Sequence, residues 1–399
     1  HRHQFPIGIA VQRNPTSEIQ LRRALTATPS GYLSLVGPPG SGKSTLLQIA
    51  LESELQLTVV RYLAFVPGAA QGIGRAEAAD FHEDLIVGLR RTGLPGVRFR
   101  RESPQDRREE FEALLAAAGQ RFQETGVRTL IVVDGLDHVP REERPERSFL
   151  SELPLPASVP QGVIFLLGTQ RLDLPGVPPA VRDQADTAAR RVDMAPLSQA
   201  AISSMADAMG LPESVPRSRL RELAHGHPLA THYLIQALLS AENEQARNSI
   251  LDDGFEYAGD IEAYYASALR GLVDDDEVMD ILGLVALAEA PLDLSLLEHL
   301  YSRAALEKAW RAARHLLKRS QGGWSIFHNS FRLYVARVPR FRFGEPDTGS
   351  SSRLYRRLVE IAEQAGPDSP QRFLKLRYLM RVGEHADVLA AATPASFRE

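Results

Sequence analysis

Cysteine is absent from all 399 residues. That excludes disulfides, thiolate-bound metals and cysteine nucleophiles, and it fits a reducing interior. Long hydrophobic runs are missing as well. The apolar stretch 162–168 falls far short of the roughly 20 residues that span a bilayer, and the stretch 281–292 is broken by Glu289 and Pro291. With no secretory signal pattern at the start either, a cytoplasmic chain without a membrane partner is expected. Neither sign of charge dominates. A formal net charge of −4 and a pI near 6.3 create no global field toward nucleic acid or anionic lipid. Lysine is nearly absent from the first three quarters, where arginine carries the positive charge and Lys43 is the only lysine before Lys308. A chain that otherwise uses arginine keeps a lysine where a compact ammonium is wanted. The sequence opens His1-Arg2-His3 without an initiator methionine, so a piece of a longer protein is expected.

What is present is globular: 44% hydrophobic and 24% charged residues, enough for two to four compact units. Up to about residue 195, short apolar strands alternate with amphipathic helices. Strands are expected at 32–36, 58–66, 129–133, 162–168 and 190–194. Helices are expected from Thr16 or Ser17 onward and at 43–55, 76–91 and 105–124, with loops at 67–74 and 140–160. The strands are continuous apolar runs, as when both faces of a parallel sheet are covered. The predicted fold class is therefore α/β, a parallel sheet with helices on both faces. Beyond Pro196 strand signals fade. The expected division is a nucleotide-binding core over 1–195, a helical lid over 196–273, a winged helix over 274–344 and the start of a helical repeat over 353–399. The winged-helix expectation rests on helices at 277–287, 295–301 and 304–317, then a hairpin turning at Gly322-Gly323.

Residues Gly37, Pro38, Pro39, Gly40, Ser41, Gly42, Lys43, Ser44 and Thr45 match G-x-x-x-x-G-K-[ST] in full, between a predicted strand and a predicted helix. Glycines let the backbone curl around phosphate and present its N–H groups, and the following helix adds its positive end. Lys43 is assigned to the β- and γ-phosphates and Ser44 to Mg²⁺, with ATP or ADP as the nucleotide. The strand Leu130-Ile131-Val132-Val133 ends on Asp134, which sets a carboxylate beside that Mg²⁺. Asp137, three residues on, is placed to orient or deprotonate an attacking water, against the plainer reading of a capping Asp in a turn.

Val133-Asp134-Gly135-Leu136-Asp137 resembles the D-G-L-D box of the STAND class of P-loop ATPases, in particular its NACHT-like branch. Where that branch commonly has a further acidic residue, this sequence has His138. Thr169-Gln170-Arg171 resembles the T-S-R sensor segment, which makes Arg171 a γ-phosphate sensor. Gly226-His227-Pro228-Leu229 resembles the G-x-P-L turn of the lid, whose proline packs on the base or ribose. Phe327-His328-Asn329-Ser330-Phe331 resembles the F-x-H-x-S-F segment of NACHT winged helices, in which histidine reaches the β-phosphate of ADP. Arg13 is the candidate for an arginine near the adenine. The resemblance covers residues 5–340 and implies a switch: ADP holds a closed form, and ATP supports a homo-oligomer that brings fused effector domains together. It further implies a sensed ligand, with effector and sensor outside this stretch, and in bacteria a role in antiphage defence or transcriptional control. Slow ATP hydrolysis is expected.

Two other classes remain open. One is a constitutive AAA+-type ATPase that remodels a protein or loads on DNA. The other is a DNA-binding regulator whose Lys308, Arg311, Arg314, Lys318 and Arg319 would meet phosphates, against the plainer reading of a solvated helix face.

Overall fold

The computed structural model describes residues 7–8, 10–51, 57–65, 75–94, 103–141, 148–255, 257–320, 323–338, 341–342, 345–347, 349–366, 369–383 and 388. The expected loop at 67–74, Gly322 and nearly all of the last sixteen residues of the expected helical repeat, 384–399, lie outside them. The chain divides into two compact units. One holds residues up to Met209 together with Gly226–Leu229; the other holds Gly210–His225 and the residues from Ala230 onward.

The first unit is built on a five-stranded parallel sheet, ordered β2-β3-β4-β1-β5. Its strands are β1 (Gly31–Val36), β2 (Leu57–Leu63), β3 (Arg128–Asp134), β4 (Val163–Thr169) and β5 (Arg191–Asp193). The apolar runs conceal a strict alternation. Tyr32, Val36, Ile131, Val133, Phe165 and Leu167 enter one core, where α3 (Ala78–Arg91) and α4 (Pro104–Thr125) cover the sheet. Leu33, Leu35, Leu130, Val132, Ile164 and Leu166 enter the other, under α1 (Pro15–Ala27) and α2 (Lys43–Ile49). Both faces are dry, which is why the sequence shows no polar alternation.

Local chemistry sets the helix ends. The start of α1 was expected at Thr16 or Ser17; Asn14 caps it instead, its side chain accepting the Ser17 N–H at 3.1 Å, with Pro15 in the first turn. Ser103 and Asp106 form a reciprocal capping box on α4. The expected loop 140–160 contains short 3₁₀ turns at Phe149–Glu152 and Pro156–Ser158. A helix that periodicity did not reveal, α5 (Pro179–Ala185), follows β4. Its residue Gln184 accepts the Tyr32 N–H on β1 at 2.8 Å. Next come α6 (Gln199–Ala208), α7 (Arg217–Ala224) and α8 (Pro228–Leu239).

The second unit is mainly helical. It contains α7, most of α8, α9 (Glu244–Ser249) and α10 (Ile261–Ala268). The helices α11 (Asp276–Leu287), α12 (Leu294–Glu298) and α13 (Arg303–Ala313) follow. They lead into an antiparallel hairpin of β6 (Leu317–Ser320) and β7 (Gly323–Ile326), in register Leu317 with Ile326. Leu292 and Trp324 exchange backbone hydrogen bonds at 2.8 and 2.7 Å, which adds a bridge to the hairpin edge. Trp324 also stacks on Trp310 of α13, with ring centroids 4.3 Å apart. Then come α14 (Asn329–Arg337), α15 (Ser350–Gln364) and α16 (Lys375–Val382). Among the described residues no helix is long and apolar enough to cross a membrane.

Candidate nucleotide-binding site

Strand order determines what meets at the C-terminal edge of the sheet. β4 lies between β1 and β3, so the loop leaving β1 and the carboxylate ending β3 flank a single strand. The chain leaves β1 for α2 and returns at the far edge as β2, which opens a crevice at this point of the kind that holds ligands in parallel sheets.

Gly40 and Gly42 adopt φ of 77° and 90°, a region that side-chain-bearing residues avoid. A Cβ on Gly37 would press on Ser41 Oγ and Met194. Gly42 precedes α2 and offers no side-chain cap, so the first N–H groups of that helix are left for an anion. Ser41 Oγ is buried without a hydrogen-bond partner among the described residues. An orphaned hydroxyl inside a loop of αL glycines fits a phosphate group. Lys43 Nζ donates to Gly37 O at 2.7 Å and Pro38 O at 3.1 Å, so the ammonium is folded back over the cradle. Burial lowers its pKa, against the opposing pull of Asp137 and Asp134.

Asp134 is 3% exposed and Asp137 8%. Burial pushes the Asp134 carboxyl up to about 6, while a hydrogen bond from Ser44 and the charge of Lys43 pull the other way. Ser44 and Asp134 are therefore already paired, side by side, as Mg²⁺ ligands would be. Among the described residues no cluster of three His, Asp or Glu could hold a metal unaided. Mg²⁺ in phosphate sites is held by one or two protein carboxylates together with phosphates and water. Thr45 lies in the first turn of α2.

Three sets of contacts at this edge were not read from sequence. Gly168 pairs in register with Asp134, and a Cβ there would collide with Asp134 Oδ1 and crowd Leu47. Its missing side chain makes room for the carboxylate. Gln170 Nε2 donates to Asp137 Oδ2 at 2.5 Å. His138 Nε2 is 3.7 Å from the same oxygen, and its ring stacks on Phe65 at 4.6 Å. Third, the turn 226–229 sits on the phosphate loop. His227 Nε2 lies 3.0 Å from Pro39 O, and Leu229 N–H donates to Gly40 O at 3.3 Å. Pro228 Cγ would stand 3.9 Å from a Cβ on Gly42, and the Leu229 side chain fills the space beside Gly40. Burial holds His227 down to about 4, so its ring is neutral at physiological pH.

Three expected residues are not among the gathered side chains. Arg171 is 65% exposed and its guanidinium lies 3.6 Å from Asp173; its neighbour Gln170 is the residue that reaches the carboxylates. In this form Arg171 is not in the hydrogen-bonded set, because β4 ends at Thr169, whose hydroxyl bonds Arg171 O and turns the chain outward. Arg13 is spent on Glu18 at 2.7 Å. His328 belongs to the second unit, where it caps α14, and is not among the side chains gathered in the first.

A phosphate cradle, a buried carboxylate one strand away and a parallel sheet with strand order 2-3-4-1-5 define a P-loop NTPase. Residues 27–174 match the family described as "AAA domain". No curated protein matches the sequence. Among solved structures, the chain is similar to a signal transduction ATPase with numerous domains (STAND) with a tetratricopeptide repeat sensor from Pyrococcus horikoshii. That match has 14% identity and a TM-score of 0.45, and covers 98% of this chain and 51% of the other. This chain thus spans about half of that protein's length. It is also similar to a Walker-type ATPase of Pyrococcus abyssi, at 14% identity and a TM-score of 0.40, covering 82% and 96% of the two chains. A third is Cdc6p from Pyrobaculum aerophilum, at 14% identity and a TM-score of 0.36, covering 81% and 93%. None reaches a TM-score of 0.5, and the fold stands on the chain's own strands and loop.

Proposed function

We propose that the chain is an ATP/ADP-binding switch of the STAND class, with an ADP-held resting form and an ATP-bound form that self-associates to activate a fused effector. The observation that carries the reading is the turn 226–229 seated on the phosphate loop. Through Pro39 O and Gly40 O, anything that changes at the phosphates is felt at the start of α8, the helix that continues into the second unit. A hydrolytic machine needs a cradle; a switch also needs the cradle tied to a second element.

Lys43, Ser41 and the backbone of Gly40 to Thr45 would hold the phosphates, and Ser44 and Asp134 the Mg²⁺. Bound Mg²⁺ would offset the charge of the phosphates. Asp137 would orient water, but Gln170 holds one of its oxygens, which supports slow turnover. Pro228 is assigned to the nucleotide's base or ribose and His328 to the β-phosphate, on the resemblance of their segments. The helices α11 to α13 with the β6–β7 hairpin support a winged helix. The domain division at 195, 273 and 344, the sensed ligand, the cytoplasmic setting and a role in antiphage defence belong to the same reading.

The test is size by light scattering with ADP and with a non-hydrolysable ATP analogue. Larger particles with the analogue, and the same shift in His328→Ala with ADP, are expected. Equal sizes in all samples, with ADP release unchanged in His328→Ala, would sink the switch.

The AAA domain match favours one second reading, a constitutive AAA+-type ATPase remodelling a protein or DNA. It requires rapid turnover. A DNA-binding regulator is less supported, since Lys308 is paired with Asp275 at 2.6 Å and Arg314 with Ser240 O.

A further inference from the structure

The phosphate loop opens poor in donors. Pro38 and Pro39 carry no N–H. The Gly37 N–H is spent on Thr169 O at 3.2 Å, and the Ser41 N–H on Pro38 O at 3.2 Å. Gly40 holds the one N–H from Gly37 to Ser41 that has no partner among the described residues. In this half of the loop it is the amide left for an anion, so its direction matters.

The bond from Ser41 N–H to Pro38 O closes a four-residue turn. With proline in its second place and Gly40 at φ 77° in its third, the turn is type II. Glycine takes either sign of φ without steric cost, so this sequence also accommodates type I. The two types differ by a half-turn of the central peptide, here the one joining Pro39 to Gly40. That peptide is trans, and in a trans peptide the C=O and N–H point in opposite directions. One orientation therefore offers the Gly40 N–H to a given face of the loop, and the other offers Pro39 O. A phosphate attracts the first and repels the second.

The carbonyl of that same peptide is held from outside. His227 Nε2 lies 3.0 Å from Pro39 O. A carbonyl only accepts, so Nε2 carries the hydrogen and donates it. His227 is buried and its ring is neutral. The Leu229 N–H holds the next carbonyl, Gly40 O, at 3.3 Å, and the Leu229 side chain fills the space beside Gly40. The turn that carries His227 is itself pinned. Leu197 N–H donates to Gly226 O at 2.8 Å, and a Cβ on Gly226 would press on Leu197 O. All of these residues belong to the first unit.

We propose that His227 is a positioning residue for phosphate binding: by holding Pro39 O it keeps the Pro38–Ser41 turn in type II, with the Gly40 N–H turned away from the histidine and into the cradle. The inference rests on the reading that this loop takes nucleotide phosphates, and it does not need the switch. It also separates two neighbours by ligand. His227 acts on any phosphate the loop receives, whereas Pro228 is assigned to the base or ribose.

The experiment uses the full chain, labelled with ¹⁵N-glycine and ¹³C′-proline so that the Gly40 amide is read through Pro39. Ligand-free wild type should give a single Gly40 signal. His227→Phe, which keeps a ring but loses the donor, should give a second or exchange-broadened signal as the turn populates both types. His227→Gln, whose Nε2 can donate to the same carbonyl, should restore the single one. Calorimetric affinities for inorganic pyrophosphate and for ADP, each with Mg²⁺, should both fall about three- to tenfold in His227→Phe, the range set by one net hydrogen bond. Both should recover in His227→Gln, and Pro228→Ala should weaken ADP alone. Where a phenyl ring does not fit, the smaller His227→Leu serves the same purpose. A Gly40 signal unmoved by loss of the donor, or pyrophosphate affinity left intact, overturns the inference. A wild type that takes up neither ligand overturns the nucleotide reading together with it. Equal particle sizes with both nucleotides, beside a pyrophosphate loss in His227→Phe, overturn the switch and support the positioning.

Discussion

At the residue scale, the clearest demands are steric and electrostatic. Gly168 is a glycine because its neighbour across the strand pair is Asp134. Gly168→Ala should push the carboxylate off Ser44, abolish Mg²⁺-dependent ATP binding and cost about 1–3 kcal/mol of stability through overpacking. Calorimetric titration and thermal melting read both effects, and a variant that binds Mg²⁺-ATP normally would contradict the assignment. Lys43→Ala should weaken nucleotide binding by about 10- to 100-fold, the scale of a charge-assisted hydrogen bond to phosphate. Lys43→Arg should not restore it, because a planar guanidinium does not fit a point-charge site between loop carbonyls. Recovery of wild-type affinity in the arginine variant would count against that geometry. The phosphate loop and Asp134 were legible in the sequence because their residue types are fixed by chemistry at short spacing. Gln170 and Gly168 were not, although both lie inside a segment that was singled out, because their partners, Asp137 and Asp134, are more than thirty positions away in the chain. Arg171 drew attention as a charge, but the strand end turns it outward.

At the element scale, the strands were read correctly, most plainly β1, β3 and β4, whose burial on both faces leaves continuous apolar runs. Helix ends were read less well. Asn14 rather than Ser17 caps α1, and the short α5 has too few turns for a period to show. The β6–β7 hairpin was placed within one residue, on its glycines. Gly323, at φ 120°, has no room for a Cβ beside Leu292 O. Gly323→Ala should therefore cost about 1–3 kcal/mol and loosen the Trp310–Trp324 stack, seen as a change in tryptophan fluorescence. An unchanged emission and melting point would refute the constraint.

Buried histidines set the response of these elements to acid. His82, His227, His232 and His315 are held by burial at about 4, below the ordinary 6.5. As pH falls through 6.5 the unfolded chain takes up these protons while the folded chain does not until about 4. Stability is thus lost across that window and not regained below it. Asp134 works in the opposite direction. Its folded value of about 6 lies above the ordinary 3.8, so the folded form binds its proton first and gains as pH falls. Glu289, also raised by burial, acts in the same direction as Asp134; with four histidines against these two carboxyls, the melting temperature of the ligand-free chain should drop between pH 7 and 5. A flat profile would show that the histidines are not held neutral.

At the scale of the whole molecule, a phosphate cradle is joined to the helix that leaves its unit. The turn 226–229 packs with the sheet, while α8 continues among α10 and α14. Under the proposed switch, that continuity is what would carry nucleotide state to α8. It was only partly legible in sequence. Gly226 and Pro228 marked a turn, but nothing at short range said that His227 and Leu229 would reach Pro39 and Gly40. The most direct measurement is to denature the purified chain, identify and quantify the nucleotide it releases, and follow ATP turnover on the same preparation. The account predicts close to one ADP per chain and turnover far below the roughly 10 s⁻¹ typical of enzymes. An empty site with rapid, sustained hydrolysis would contradict it.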